Sequence, residues 1–176
     1  MNSILQFKHW QIALVMFIGL LISSFTIEAS SIIKVMLYIM GTVVFLSWPL
    51  FVGQGLYRLQ QDRFNFKLNY YGFLINSITF LSAYTMRLVF PLEEWLTSSG
   101  INVLFDIYIF AAALHYMMFP SLILNSIEKN RKVKVTECIG DFFLTVFLPV
   151  GIWFLQPRIN AVAMNNLGKD SNILHI

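Results

Sequence analysis

The sequence predicts an all-α fold, a polytopic integral membrane bundle of about five transmembrane helices in a single membrane domain covering residues 1–176. Three observations carry this expectation. Hydrophobic residues make up 57% of the chain and charged residues only 12%, against about 25% charged in soluble domains. Apolar runs long enough to cross a core of roughly 30 Å as helices recur at 10–27, 32–57, 70–90, 101–124 and 139–155. The basic residues gather in the short polar loops between these runs. Lipid offers nothing to an unpaired backbone group, so helices are the structure that this pattern can span with.

The first run, Trp10 to Ile27, is just long enough to cross. Lys8 before it and Ile27-Glu28-Ala29 after it would also fit a secretory signal. Its length favours an uncleaved helix, with Gly19, Ser23 and Ser24 as a small-residue patch for packing. After the short link Glu28 to Ser31 comes Ile32 to Tyr57, longer than a bilayer requires. Pro49 and the Gly53-Gln54-Gly55 triplet predict a kink and a loosened last turn there.

The loop Arg58 to Lys67 interleaves basic and aromatic residues and reads as an interfacial turn. A single short loop has no platform fold, so nucleic acid is not an expected partner. The third run, Tyr70 to Phe90, places Asn69, Gly72, Asn76, Thr79, Ala83 and Arg87 in one helical sector, predicted to face protein. The turn Pro91 to Gly100 then leads into the fourth run, Ile101 to Leu124. Here Asp106 shares a face with Phe110, Ala113, Met117 and Ser121, while His115 lies opposite beside Tyr108, Ala111 and Met118. Lipid suits neither polar face, so this helix is expected to sit centrally or to meet another chain.

In an antiparallel hairpin Arg87 and Asp106 come to nearly equal depth and can pair. A charge stranded in hydrocarbon costs roughly 2.5–3.5 kcal/mol or more, so each needs a partner, water or the interface. The most basic loop, Glu128 to Glu137, precedes the last run, Ile139 to Leu155. That run is short and carries Asp141 and Pro149, so it either crosses as a fifth span or is re-entrant, leaving four. Asp141 is expected on the positive N-terminal end of its helix. Residues 156–176 read as a polar, extended or flexible C-terminal tail, entered through an interfacial anchor with Trp153 and Arg158 at headgroup level.

With five spans and the N-terminus inside, eight of the twelve basic residues fall on the cytoplasmic side. If the last run does not cross, the division becomes ten to two. Cys138 is the single cysteine, too little for a disulfide or a thiol-rich metal site. His9, His115 and His175 are far apart, and no phosphate loop, His-Glu-x-x-His or Gly-x-Ser-x-Gly occurs. No cofactor, metal or catalytic residue is therefore expected.

The candidate binding or intramembrane polar residues are Arg87, Asp106, His115, Asn76 and Asp141. They support a small non-catalytic membrane subunit whose partners are the bilayer and other membrane chains, or further copies of itself. The alternative is a transporter or channel component moving an ion or small anion past Arg87, Asp106 and His115. A lipid-modifying enzyme would need an acid/base pair at headgroup depth, for which Asp141 with Tyr or His neighbours is the candidate.

Overall fold

The structure is a computed structural model that describes residues 3–24, 31–60, 64–89 and 101–173. The links containing Glu28-Ala29, Asp62-Arg63 and Glu93-Glu94 lie outside the described residues. Among the described residues the fold is all-α, without strands. A short 3-10 turn, Ser3–Gln6, precedes α1 (His9–Ser24), α2 (Ser31–Leu59), α3 (Lys67–Val89) and α4 (Ile101–Glu128). After a second 3-10 turn, Val135–Glu137, come α5 (Ile139–Val146) and α6 (Leu148–Ile173). Of these helices α2, over Ile32–Leu59, and α4, over Val103–Glu128, are long and apolar enough to cross a membrane.

Helices α1 to α4 run alternately up and down. α1 lies antiparallel on α2, meeting it where Gly19 has no side chain: a Cβ there would stand 2.9 Å from the Gly41 carbonyl. At the other end of the pair Leu5 packs over Gly55, whose missing Cβ leaves the space the leucine fills. Gly53 likewise admits the ring of Phe73 from α3. The glycines predicted to loosen the end of α2 are instead places of close approach, and the helix continues to Leu59. Pro49 sits inside it and offers no N–H to the Phe45 carbonyl. One residue on, the Leu46 carbonyl accepts a hydrogen bond from the Tyr116 hydroxyl of α4.

The centre of the bundle is aromatic. Phe73 stacks on Phe119 with ring centroids 4.4 Å apart and lies 6.1 Å from Tyr116, while Phe80 closes on Tyr116 at 5.6 Å. The buried side of α3 is therefore centred on Phe73, Ser77 and Phe80. Of the polar sector predicted to face protein, Ala83 lies on this buried side, while Gly72, Asn76 and Arg87 flank it along the seam with α4. α4 is central as expected, but only in its second half. Residues 119–126 are all buried, whereas 103–108 are all exposed.

The run 139–155 is not one helix. α5 ends at Val146, the chain turns at Phe147, and α6 starts at Leu148. Pro149, which lacks an N–H, occupies the first turn of α6, where helix donors have no intrahelical acceptor. Gly151 makes the reversal possible: a Cβ on it would fall 1.7 Å from the Leu144 carbonyl oxygen. α6 then leads back beside α5, and the segment from Gln156 is helical to Ile173 instead of extended. Its inner stripe of Ile152, Leu155, Gln156, Ile159 and Ala163 is buried at helical spacing.

Candidate functional site

Two polar groupings lie along the seam of α3 and α4. Near the ends of these helices Arg87 pairs with Asp106, the partnership that equal depth predicts. Both side chains remain about half exposed, 46% and 52%. About three turns away along α3, the Asn76 side-chain nitrogen stands 2.8 Å from His115 Nδ1, and the Tyr108 hydroxyl donates to Asn76 Oδ1 at 3.2 Å. His115 fits beside Gly72, where a Cβ would come within 3.3 Å of the imidazole. Asp106 and His115 point from opposite sides of α4, yet both reach α3, because the buried face of α4 lies between them on Ala112, Tyr116, Phe119 and Ile123.

Asp141 is at the opposite end of the bundle, apart from the other four candidates. It does stand in the first turn of α5. Its oxygens are taken by side chains: Asn125 of α4 donates at 2.6 Å and Arg158 of α6 at 2.7 Å. Arg158 also grips Glu128, the last residue of α4, through Nε at 2.9 Å and a second nitrogen at 2.5 Å. Arg158 is thus a bidentate clasp joining three helices, bonds that its reading as an interfacial anchor did not include. Beneath it Ser121 and Thr145 share a hydrogen bond of 3.1 Å.

Gln156, also unforeseen, ties the start of the chain to the bundle. Its side-chain nitrogen donates to the Phe7 carbonyl at 3.1 Å, as does that of Asn160, and its oxygen accepts from Trp48 at 3.3 Å. Arg158 and Gln156 could have been noticed from their distance to Pro149. Asp141 and Arg158 lie eight and nine residues from Pro149, so a reversal of the run near that proline brings the two limbs side by side.

In the basic loop Arg131 and Lys129 hold Glu137, at 2.5 and 3.4 Å, and the Lys134 backbone N–H donates to the same carboxylate at 3.1 Å. The Arg131 guanidinium foremost, then the Lys134 N–H, lower the Glu137 carboxyl to about 2. Cys138 is buried beside it, and burial followed by the charge of Asp141 raises its thiol, so it is a poor nucleophile. Gln60, buried at the end of α2, has its carboxamide unbonded among the described residues. An apolar groove of about 400 Å³ runs between α1, from Ala13 to Leu20, and the residues Pro149 and Trp153 of α6.

Among the described residues no three His, Cys, Asp or Glu side chains converge as metal ligands. The arrangement can hold charge and pass a hydrogen bond along one seam, and it can fasten a helical hairpin. Comparison with protein-family models, with curated proteins and with solved structures gives no match.

Proposed function

We propose that the chain is a multi-pass integral membrane protein whose helices α1–α4 cross the bilayer, and that it serves as a non-catalytic subunit or accessory component. It packs against other membrane chains or against its own copies. The observation that carries this reading is the half-exposed Arg87–Asp106 pair beside exposed Val103, Leu104, Phe105, Ile107 and Phe110. An ion pair open to acyl chains is unfavourable, and an apolar helix face around it offers a second protein both packing surface and charge to cover. The end bearing the loop 129–134 is cytoplasmic by the positive-inside rule.

Alanine replacement of Arg87 and Asp106 tests it. Loss of assembly or of protein level, with no primary change in solute flux, supports the subunit reading. Normal assembly with lost flux removes it. A second reading, an ion or small-anion pathway, is favoured by the Tyr108–Asn76–His115 hydrogen-bond chain on the same seam as Arg87 and Asp106. Flux through reconstituted liposomes that falls on His115→Phe replacement would establish that pathway in its place.

A further inference from the structure

We propose that the α5–α6 hairpin is a half-membrane wedge, immersed in the acyl chains of the leaflet whose headgroups meet the basic loop. The proposal rests on the reading of α1–α4 as spans. Its first support is length. The 8 residues of α5 rise about 12 Å, less than half of the apolar core. The apex at Phe147 therefore reaches no further than the middle of a bilayer whose surface lies at Asp141.

The second support is where the two limbs are pinned. Arg158 in the returning limb binds Asp141 at the start of the entering limb and Glu128 at the end of α4. All three belong to the end of the bundle from which the loop Lys129 to Lys134 projects. Gln156 and Asn160 add hydrogen bonds to the Phe7 carbonyl, just before α1 begins. By its geometry the returning limb leads out where the entering limb came in.

The third is surface chemistry. Ile139, Phe143, Val146, Phe147, Val150 and Phe154 are all exposed on the hairpin, with no charged residue from Phe142 to Pro157. Such a face is costly in water and well solvated by acyl chains. The reversal also keeps three of its backbone donors bonded, as lipid requires. Phe147 N–H donates to the Phe143 carbonyl, and the N–H groups of Val150 and Gly151 donate to that of Phe147. Around the base Lys129, Arg131, Lys132 and Lys134 are exposed, a complement to anionic headgroups. With α6 returning, ten of the twelve Lys and Arg residues belong, by their place in the chain, to one end.

The test uses the full chain with Cys138→Ala, carrying Lys34→Cys, Asn130→Cys, Phe147→Cys or Met164→Cys singly, in sealed liposomes containing phosphatidylglycerol. A membrane-impermeant maleimide should label positions 130 and 164 from one side and position 34 from the other. A spin label at position 147 should be relaxed strongly by oxygen and weakly by a water-soluble nickel chelate. Labelling of positions 130 and 164 from opposite sides would mean that the hairpin crosses, overturning the wedge while leaving the spans intact. Impermeant-reagent labelling at position 147 makes the apex aqueous. Shielding of position 147 from both relaxants, with crosslinking there to another chain, makes the occupant protein; either result also overturns the wedge. Release of the whole chain by alkaline carbonate instead sinks the membrane reading on which it rests.

Discussion

The guanidinium of Arg158 stands 2.7 Å from the Asp141 carboxylate, across a hairpin whose turn lies at Phe147. That contact, shared with Glu128, closes the last two helices onto the fourth. Asp141 is the more enclosed partner, with 13% of its side chain exposed against 36% for Arg158. Removing the cation leaves the carboxylate with the Asn125 amide as its side-chain donor among the described residues.

Arg158→Met should therefore lower stability by about 1–3 kcal/mol, the range for charge-assisted hydrogen bonds, discounted for partial exposure. Arg158→Lys should recover part of the loss, because an ammonium cannot hold Glu128 through two nitrogens while reaching Asp141. Thermal unfolding in detergent, followed by size-exclusion chromatography, measures both. Equal stability of all three proteins would remove the clasp from any account of the fold.

Gly151→Val places atoms on the Leu144 carbonyl and forces the hairpin apart. The expected cost is about 2 kcal/mol or more, and α6 should become susceptible to protease. Gly140, where an added Cβ meets nothing within 4 Å, is the control. Gly140→Ala should be close to neutral.

The core prediction concerns Phe73, buried between the rings of Tyr116 and Phe119. Phe73→Ala should cost about 3–5 kcal/mol through lost contacts and the cavity left behind. Phe73→Leu should cost less. The melting temperatures of the two variants, compared in the same detergent, order them.

Glu137 carries the pH dependence. Its carboxyl is held at about 2, below the ordinary value of 4.5, chiefly by Arg131. A carboxyl lowered on folding stabilises the fold above its ordinary value, and that contribution disappears as pH falls from there toward the lowered one. The melting-temperature difference between the native protein and Glu137→Gln should be present at neutral pH and shrink below about 4.5. A difference that persists at the lowest pH would contradict the Arg131 contact.

At the other end of the bundle, a charge swap tests the pair. Arg87→Ala or Asp106→Ala alone should reduce assembly, and Arg87→Asp combined with Asp106→Arg should restore part of it. Immunoblot of native complexes reads the outcome. Failure of the swap together with full assembly of the single variants would separate this pair from any interface.

Much of this architecture is legible in the sequence. The runs at 32–57, 70–90 and 101–124 lie within α2, within one residue of α3, and within α4, because long apolar stretches between polar loops leave the backbone few options. The Arg87–Asp106 pair follows from counting residues back from one loop. What length could not reveal is that an apolar stretch doubles back. Ile139 to Leu155 has the extent of a short span, and only Pro149 and Gly151 hint at the break. The polarity of Gln156, Arg158 and Asn160 suggested a tail, whereas each of these side chains bonds a distant part of the bundle. The polar stripe of α3 was also a partial guide. Aromatic packing by Phe73 and Phe80 set the inner face, and the stripe took the adjacent position.

Cys138, the only thiol, caps the start of α5 and packs against Leu122 of α4 and Val133 of the basic loop, with Sγ 3.2 Å from the Val135 carbonyl. The protein thus carries its own gauge of hairpin seating. While α5 stays docked the sulfur is sheltered from alkylating agents, and each excursion that lifts the helix bares it. The rate at which an unmodified sample consumes a thiol reagent therefore clocks that opening, with no label introduced.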